Sequence, residues 1–244
     1  MRIFLAGATG AIGRRLIPLL IEAGHEVTGT TRSRERAGAL TAAGAKPVIL
    51  DAFDAEAVKA AVAASRAEIL IHQLTDFPQH FDPASLADAV ERTTRLRIEG
   101  TRNLVSAALA AGVRRLVAQS ICFVYAPGPE PHGEGDPLNL SAEGIIGRAA
   151  QGIAALEELV AGTAELEGLV LRYGNLYGPG TWVATSSGRT GVHVDAAAHA
   201  TFLAVTRGVS GVYNIADDDG SVAIALARRE FGWNPEFRLP AAPQ

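Results

Sequence analysis

Three glycines spaced three apart give the chain its clearest chemical signal, in the run Gly7-Ala8-Thr9-Gly10-Ala11-Ile12-Gly13. The run follows a short apolar segment, Ile3–Ala6. It opens a stretch in which Ile12, Leu16, Leu19, Leu20 and Ala23 share one helix face. A glycine turn between strand and helix lets the backbone approach a pyrophosphate, and the first N–H groups of the helix supply positive potential. Thr9, Ala11 and Ile12 are expected to contact the nucleotide together with Gly7, Gly10 and Gly13. At the end of the next apolar run, Val27–Thr30, an NAD-selective site would carry an acidic residue for the ribose 2′-hydroxyl. This chain has Thr31 and Arg32 there, with Arg34 and Arg36 following. Arg32 and Arg36 could fork onto a 2′-phosphate, so NADP(H) is favoured over NAD(H).

Groups suited to proton transfer are few. There are four tyrosines and two lysines, and both lysines, Lys46 and Lys59, lie early in the chain. Tyr125 and Tyr177 follow apolar runs and could face a substrate, with Ser120 as hydrogen-bonding support. Tyr213 lies inside an apolar run and reads as core. His72 ends an apolar run and reads as a packed, hydrogen-bonded histidine, whereas His80 and His132 read as solvated loop residues. Asp217-Asp218-Asp219 has no flanking ligand pattern and reads as a solvated turn, so no metal is expected. The single cysteine, Cys122, excludes an intrachain disulfide and a cysteine-based zinc site.

The elements that would position these groups alternate in type. Apolar runs at 3–6, 27–30, 47–50, 69–71 and 116–118 read as strands. Helical stretches are expected at 34–43, 55–65 and 85–111. That alternation specifies a parallel sheet covered on both faces. Farther along, 126–137 and 178–191 read as loops, and 141–161, 196–206 and 222–231 as helices. Strands are expected at 169–171 and 212–215. The expected fold is α/β, a Rossmann-like doubly wound parallel sheet with a small C-terminal substrate lobe. Residues 1–165 would be mainly nucleotide-binding and 166–244 mainly that lobe, within one domain. With 26 acidic against 22 basic residues, the chain lacks the basic excess of a nucleic-acid binder. No apolar run reaches the length of a membrane span, and no signal peptide is recognisable, so a cytoplasmic protein is expected.

The glycine spacing and a set of further motifs resemble the short-chain dehydrogenase/reductase superfamily, in particular its extended epimerase/dehydratase branch. The resemblance runs nearly the whole length. Leu50-Asp51 matches the branch's acidic position near the adenine, and Gly100-Thr101-Arg102-Asn103-Leu104 its G-T-x-N-L helix. Ser120 to Tyr125 is similar to S-S-x-x-V-Y, and Leu171 to Pro179 to L-R-x-x-N-x-Y-G-P. His193-Val194-Asp195 and Gly232-Trp233-Asn234-Pro235 complete the set. The resemblance implies cofactor contacts at Asp51, Ala52, Gln73, Leu74 and Asn175. It also implies a homodimer in which helices 85–111 and 141–161 pair across a two-fold axis. The alanines Ala149, Ala150, Ala154 and Ala155 would allow close approach there.

The branch's catalytic Y-x-x-x-K is missing, because no tyrosine has a lysine four places on. With Glu157 matched to the branch's K-x-x-x-E, Ala149 stands at the tyrosine position and Ile153 at the lysine position. Ile121 takes the usual serine position, with Ser120 one residue before it. Arg97 replaces the asparagine expected three residues before Gly100. Loss of a positioned acid/base costs about 10²–10⁴ in rate. Three readings stay open. One is an NADP(H)-dependent oxidoreductase on a small carbonyl or hydroxyl substrate, with Tyr125 or Tyr177 as a proton donor of ordinary pKa. The others are a non-redox lyase, cyclase or isomerase, and a nucleotide-sensing binding protein. The short C-terminal part suits a small or flat substrate, walled by loops 126–140 and 178–191.

Overall fold

The computed structural model describes residues 1–186 and 188–240. Its centre is a seven-stranded, all-parallel sheet. The first half comprises β1 (Arg2–Ala6), α1 (Ala11–Glu22), β2 (Glu26–Thr31), α2 (Arg34–Ala42), β3 (Lys46–Ile49), α3 (Ala55–Ser65) and β4 (Ile69–His72). The second half begins with α4 (Leu86–Arg95), a π-helical turn (Leu96–Gly100) and α5 (Thr101–Ala110). Then come β5 (Arg115–Ile121), α6 (Gly144–Ala161) and β6 (Glu167–Tyr173). A two-stranded sheet of β7 (Asn175–Tyr177) and β8 (Gly191–His193) precedes α7 (Val194–Ala204), β9 (Gly211–Ile215) and α8 (Ala225–Phe231).

Strand order is β3-β2-β1-β4-β5-β6-β9. The central strands are wholly apolar where they cross the core, so each buries side chains on both faces. One cluster joins the sheet to α1, α7 and α8 through Leu16, Leu20, Leu203 and Phe231. The other joins it to α3, α5 and α6 through Val58, Val62, Leu104 and Leu156. The outer strand β3 carries Lys46 and Pro47, both exposed, which blunt an unpaired edge.

Successive connections run outward from β1 in one direction and from β4 in the other. The crevice at their carboxyl ends is therefore the switch point of the sheet. Ala6 stands level with His72, and Gln73 N–H donates to Ala6 O at 2.8 Å, so the glycine loop and the segment after β4 lie side by side.

Four local expectations differ from the structure. The helix expected over 85–111 runs without a break from Leu86 to Ala110 but widens into a π-helical turn at Leu96–Gly100. The helix expected at 222–231 starts at Ala225, because Val222 is held extended in a bridge to His132. The helix expected at 196–206 starts at Val194, where the His193 ring accepts from Asp195 N–H and caps it. Residues 166–240 add β6 and β9 to the main sheet as well as forming β7 and β8.

Candidate functional site

The glycine loop is built to be filled from outside. Gly7 has φ +89°, and a Cβ there would lie 2.5 Å from the Gln73 carbonyl oxygen. A Cβ on Gly13 would lie 2.5 Å from Gly7 O. Gly10 caps α1 without a side-chain hydrogen bond, and the first turn carries no acidic residue. The free N–H groups there, with the helix dipole, fit a pyrophosphate. Thr9 and Ala11 are half-buried beside this opening, while Ile12 anchors the helix to the core.

Across the crevice, Arg32 leaves the end of β2 and donates to both oxygens of Asp76, at 2.8 and 3.4 Å. Arg92 lies 3.5 Å from the same carboxylate, so two guanidinium groups share one acid. The Arg32 hydrogen bonds hold Asp76 below its ordinary pKa. Arg36 is exposed on the first turn of α2, which Ser33 caps. Asp51 closes its own turn by accepting from Phe53 N–H, and Ala52 O accepts from Asn103. Leu74 N–H donates to the His72 ring, and the Asn175 side chain is exposed at the strand ends.

His72 is fully buried, as expected of a packed residue. Its Nδ1 accepts from Leu74 N–H, so the proton sits on Nε2, which faces Thr101 Oγ1 at 2.9 Å. Burial pushes its pKa down to about 3.

Two of the proton-transfer candidates are brought together, and their protons point inward. Ser120 is fully buried and donates to Glu157 Oε1 at 2.8 Å. Arg172 forks onto Glu157 at 2.8 and 2.6 Å and donates to the Tyr125 hydroxyl at 2.7 Å. Tyr125 in turn donates to Asn214 Oδ1 at 2.7 Å, and its ring stacks on His132. His132 is therefore a packing partner and not the solvated loop residue expected. Burial raises the Tyr125 pKa above the ordinary value expected for it, despite the Arg172 charge.

Tyr177 stands apart from this network. It is half-exposed, edge-on to His193, and 3.5 Å from Arg238. Burial and the neighbouring Asp217 carboxylate raise its pKa too. The run 217–219 is more structured than a solvated turn: Asp219 accepts from Thr190 N–H and Ser221, and Asp218 pairs with Arg228.

Ala149 and Ile153 are buried in a cluster with Val90, Ile121 and Val124. Tyr213 is core, as expected.

Two features were not anticipated from the sequence, an aromatic pairing across two loops and the burial of Arg97. Phe77 and Phe81, after β4, pack against Trp182 at 5.5 and 5.2 Å between ring centroids, and the Trp182 N–H donates to Pro78 O. This aromatic lip joins two loops distant in sequence and remains substantially exposed. The second feature is Arg97, on the π-helical turn and only 3% exposed. Among the described residues its guanidinium has neither an ion pair nor a hydrogen bond.

One known family and three known proteins bear on the chain. The profile of the NAD(P)H-binding family matches residues 7–181. A 3-diazoavenalumate denitrifying reductase from a Streptomyces species is 42% identical, over 99% of this chain and 85% of that protein. In solved structures, the fold matches UDP-glucose 4-epimerase of Thermotoga maritima, with a TM-score of 0.77 and 19% identity over 98% of this chain and 94% of that one. A dTDP-glucose 4,6-dehydratase from Streptomyces venezuelae, solved with NAD bound, matches with a TM-score of 0.77 and 19% identity, over 98% and 93% of the two chains.

Proposed function

The chain belongs to the NAD(P)H-binding family of oxidoreductases, and on that premise we propose that it is an NADPH-dependent reductase of a small, flat, electron-poor substrate. The observation that carries this reading is that the candidate hydroxyls already spend their protons inside the protein, Ser120 on Glu157 and Tyr125 on Asn214, while the α6 positions Ala149 and Ile153 are apolar and buried. A site so equipped suits a substrate that needs no proton from the protein.

When bound, NADPH supplies a hydride at its nicotinamide. Gly7, Thr9, Gly10, Ala11, Ile12 and Gly13 would hold the pyrophosphate, Arg32 and Arg36 the 2′-phosphate, and Asp51, Ala52, Gln73, Leu74 and Asn175 the remaining surfaces. Arg32 and Arg92, meeting at Asp76 beside the crevice, support the phosphate assignment as two guanidinium groups within reach of one point. Phe77, Phe81 and Trp182 offer ring faces to a flat substrate. The diazo group in the name of the 42% identical relative is an electrophile of the required kind. An aryl diazonium exchanges its C–N bond for a C–H bond as N₂ leaves with the bond pair. One hydride cancels the charge, and no proton enters.

A second reading applies where the substrate is a carbonyl. Tyr177, half-exposed beside Asn175, would then give the proton, with Tyr125 and Ser120 holding the interior network. A tyrosine raised above its ordinary pKa acts as an acid and not as a base near neutrality, so reduction is favoured over dehydrogenation. The reading further includes a homodimer in a reducing cytoplasm. No described helix is long and apolar enough to cross a membrane, and Cys122 is buried with its thiol pushed up to about 12.

Calorimetry with NADPH and NADH, on wild type and Arg32→Ala, tests the cofactor. NADPH should bind more tightly than NADH, and Arg32→Ala should lose about tenfold or more for NADPH alone. NADPH consumption with a benzenediazonium and with an acetophenone, above the enzyme-free rate, tests the substrate. Turnover of the diazonium should survive Tyr125→Phe and Tyr177→Phe, whereas ketone turnover should fall about 10²-fold in Tyr177→Phe. Equal affinity for the two nucleotides, or loss of diazonium turnover in Tyr177→Phe, would reject the respective parts.

A further inference from the structure

Arg97 is a charge without a counterpart. The nearest carboxylate that acts on it is Glu157, but both Glu157 oxygens are occupied by Arg172, one of them also by Ser120. Two guanidinium groups therefore share one buried acid. The remaining ionisable neighbour, His72, is held neutral by burial and by the Arg97 charge. An uncompensated cation in a protein interior is costly and persists only where something else requires it.

The Arg97 nitrogens are also not sealed. The buried atoms that lack any partner among the described residues are Gln73 Oε1, Asp195 Oδ1 and His199 Nδ1. The Arg97 nitrogens have no partner and yet are not in that group, so the 3% of surface that the residue keeps lies at its guanidinium. The guanidinium therefore keeps a narrow opening to the surface, on the side of the fold where its charge is felt by His72 at the end of β4. Side chains of a helix lean toward its N-terminus, which in this segment is the end nearest the carboxyl ends of β4 and β5. The backbone at this point is the π-helical turn, a local irregularity of the kind that collects at functional sites.

We propose that Arg97 is the cation of the cofactor site, donating from its fork to the hydroxyl oxygens of the nicotinamide-side ribose. It stands on the π-helical turn that packs against α6. This inference rests on the reading that NADPH binds in the crevice.

The test separates the two halves of the nucleotide. Dissociation constants for NADPH and for adenosine 2′,5′-bisphosphate, which lacks the nicotinamide half, are measured by calorimetry on wild type, Arg97→Met, Arg97→Gln and Arg97→Lys. Melting temperatures are recorded without nucleotide. NADPH affinity should fall about tenfold or more in the Met and Gln forms and recover in part with Lys, while the bisphosphate binds all four equally. The unliganded Met form should melt no lower than wild type, because no partner is stranded. Unchanged NADPH affinity in a folded Met or Gln form would overturn the proposal, as would equal losses for NADPH and the bisphosphate. If Arg97→Met fails to fold, Arg97→Gln decides; a loss of folding in both would mark Arg97 as structural and overturn it as well. If wild type itself binds neither NADPH nor the bisphosphate, the underlying reading fails instead.

Discussion

Glu157 accepts from Ser120 and twice from Arg172, and with an 11% exposed side chain it has almost no water to help it. The Arg172 side chain is 5% exposed. Removing one member of such a pair leaves the other buried without its counter-charge, at a cost of about 3–5 kcal/mol. Glu157→Gln should therefore lower stability by that order in denaturant melts. Adding Arg172→Met should recover part of the loss, because the stranded charge is then gone too. If the double variant is less stable than Glu157→Gln by the full cost of a second independent site, Arg172 is held mainly by Tyr125 and Glu134. The sequence could not announce this network, since its members lie between 15 and 89 residues apart. The same is true of Arg97: an arginine on a helix gives no sign of being buried.

Among the elements, β4 is tied to α5 by a histidine that must stay neutral. His72 has a pKa of about 3 in the fold and about 6.5 when the chain is unfolded. Between those values the unfolded chain binds the extra proton, so stability rises with pH across that window and falls as pH drops through it. The slope from this one group is at most about 1.4 kcal/mol per pH unit. Replacement by Gln should flatten the stability profile between about pH 4 and 6.5; an unaltered slope would assign the acid sensitivity to other groups. The β/α rhythm was legible because β1 and β4 are short apolar runs and helices such as α1 keep one apolar face. The glycine loop was legible because backbone proximity restricts the residue type. The π-helical turn within the long helix before β5 was not, because a π-turn leaves the apolar spacing almost intact. The packing role of His132 was hidden for another reason: it depends on Tyr125, across a loop rich in proline and glycine.

At the scale of the whole molecule, the helices α4 and α6 pack against each other within one chain. Gly152 lets the Thr94 backbone approach to 3.1 Å of where a Cβ would stand, and Ala149 and Ala150 are buried on that side. Those two alanines thus serve the chain's own core, and only the half-buried Ala154 and Ala155, with the exposed Ile145 and Ile146, remain for a two-fold partner. The proposed homodimer should appear in light scattering at twice the 25.4 kDa chain mass. A single-chain mass at micromolar concentration would reject it, and Ile146→Glu should dissociate it if that face is used. The aromatic lip has a consequence of another kind. The chain has two tryptophans: Trp233, 2% exposed and bonded to Ala196 O, and Trp182, 39% exposed on the loop after β7. Their emission should separate into a blue component shielded from solvent quenchers and a red component open to them. Reduced nicotinamide absorbs where indole emits, so nucleotide or substrate arriving beneath the lip should dim the red component first, making Trp182 an optical reporter of occupancy that the protein already carries.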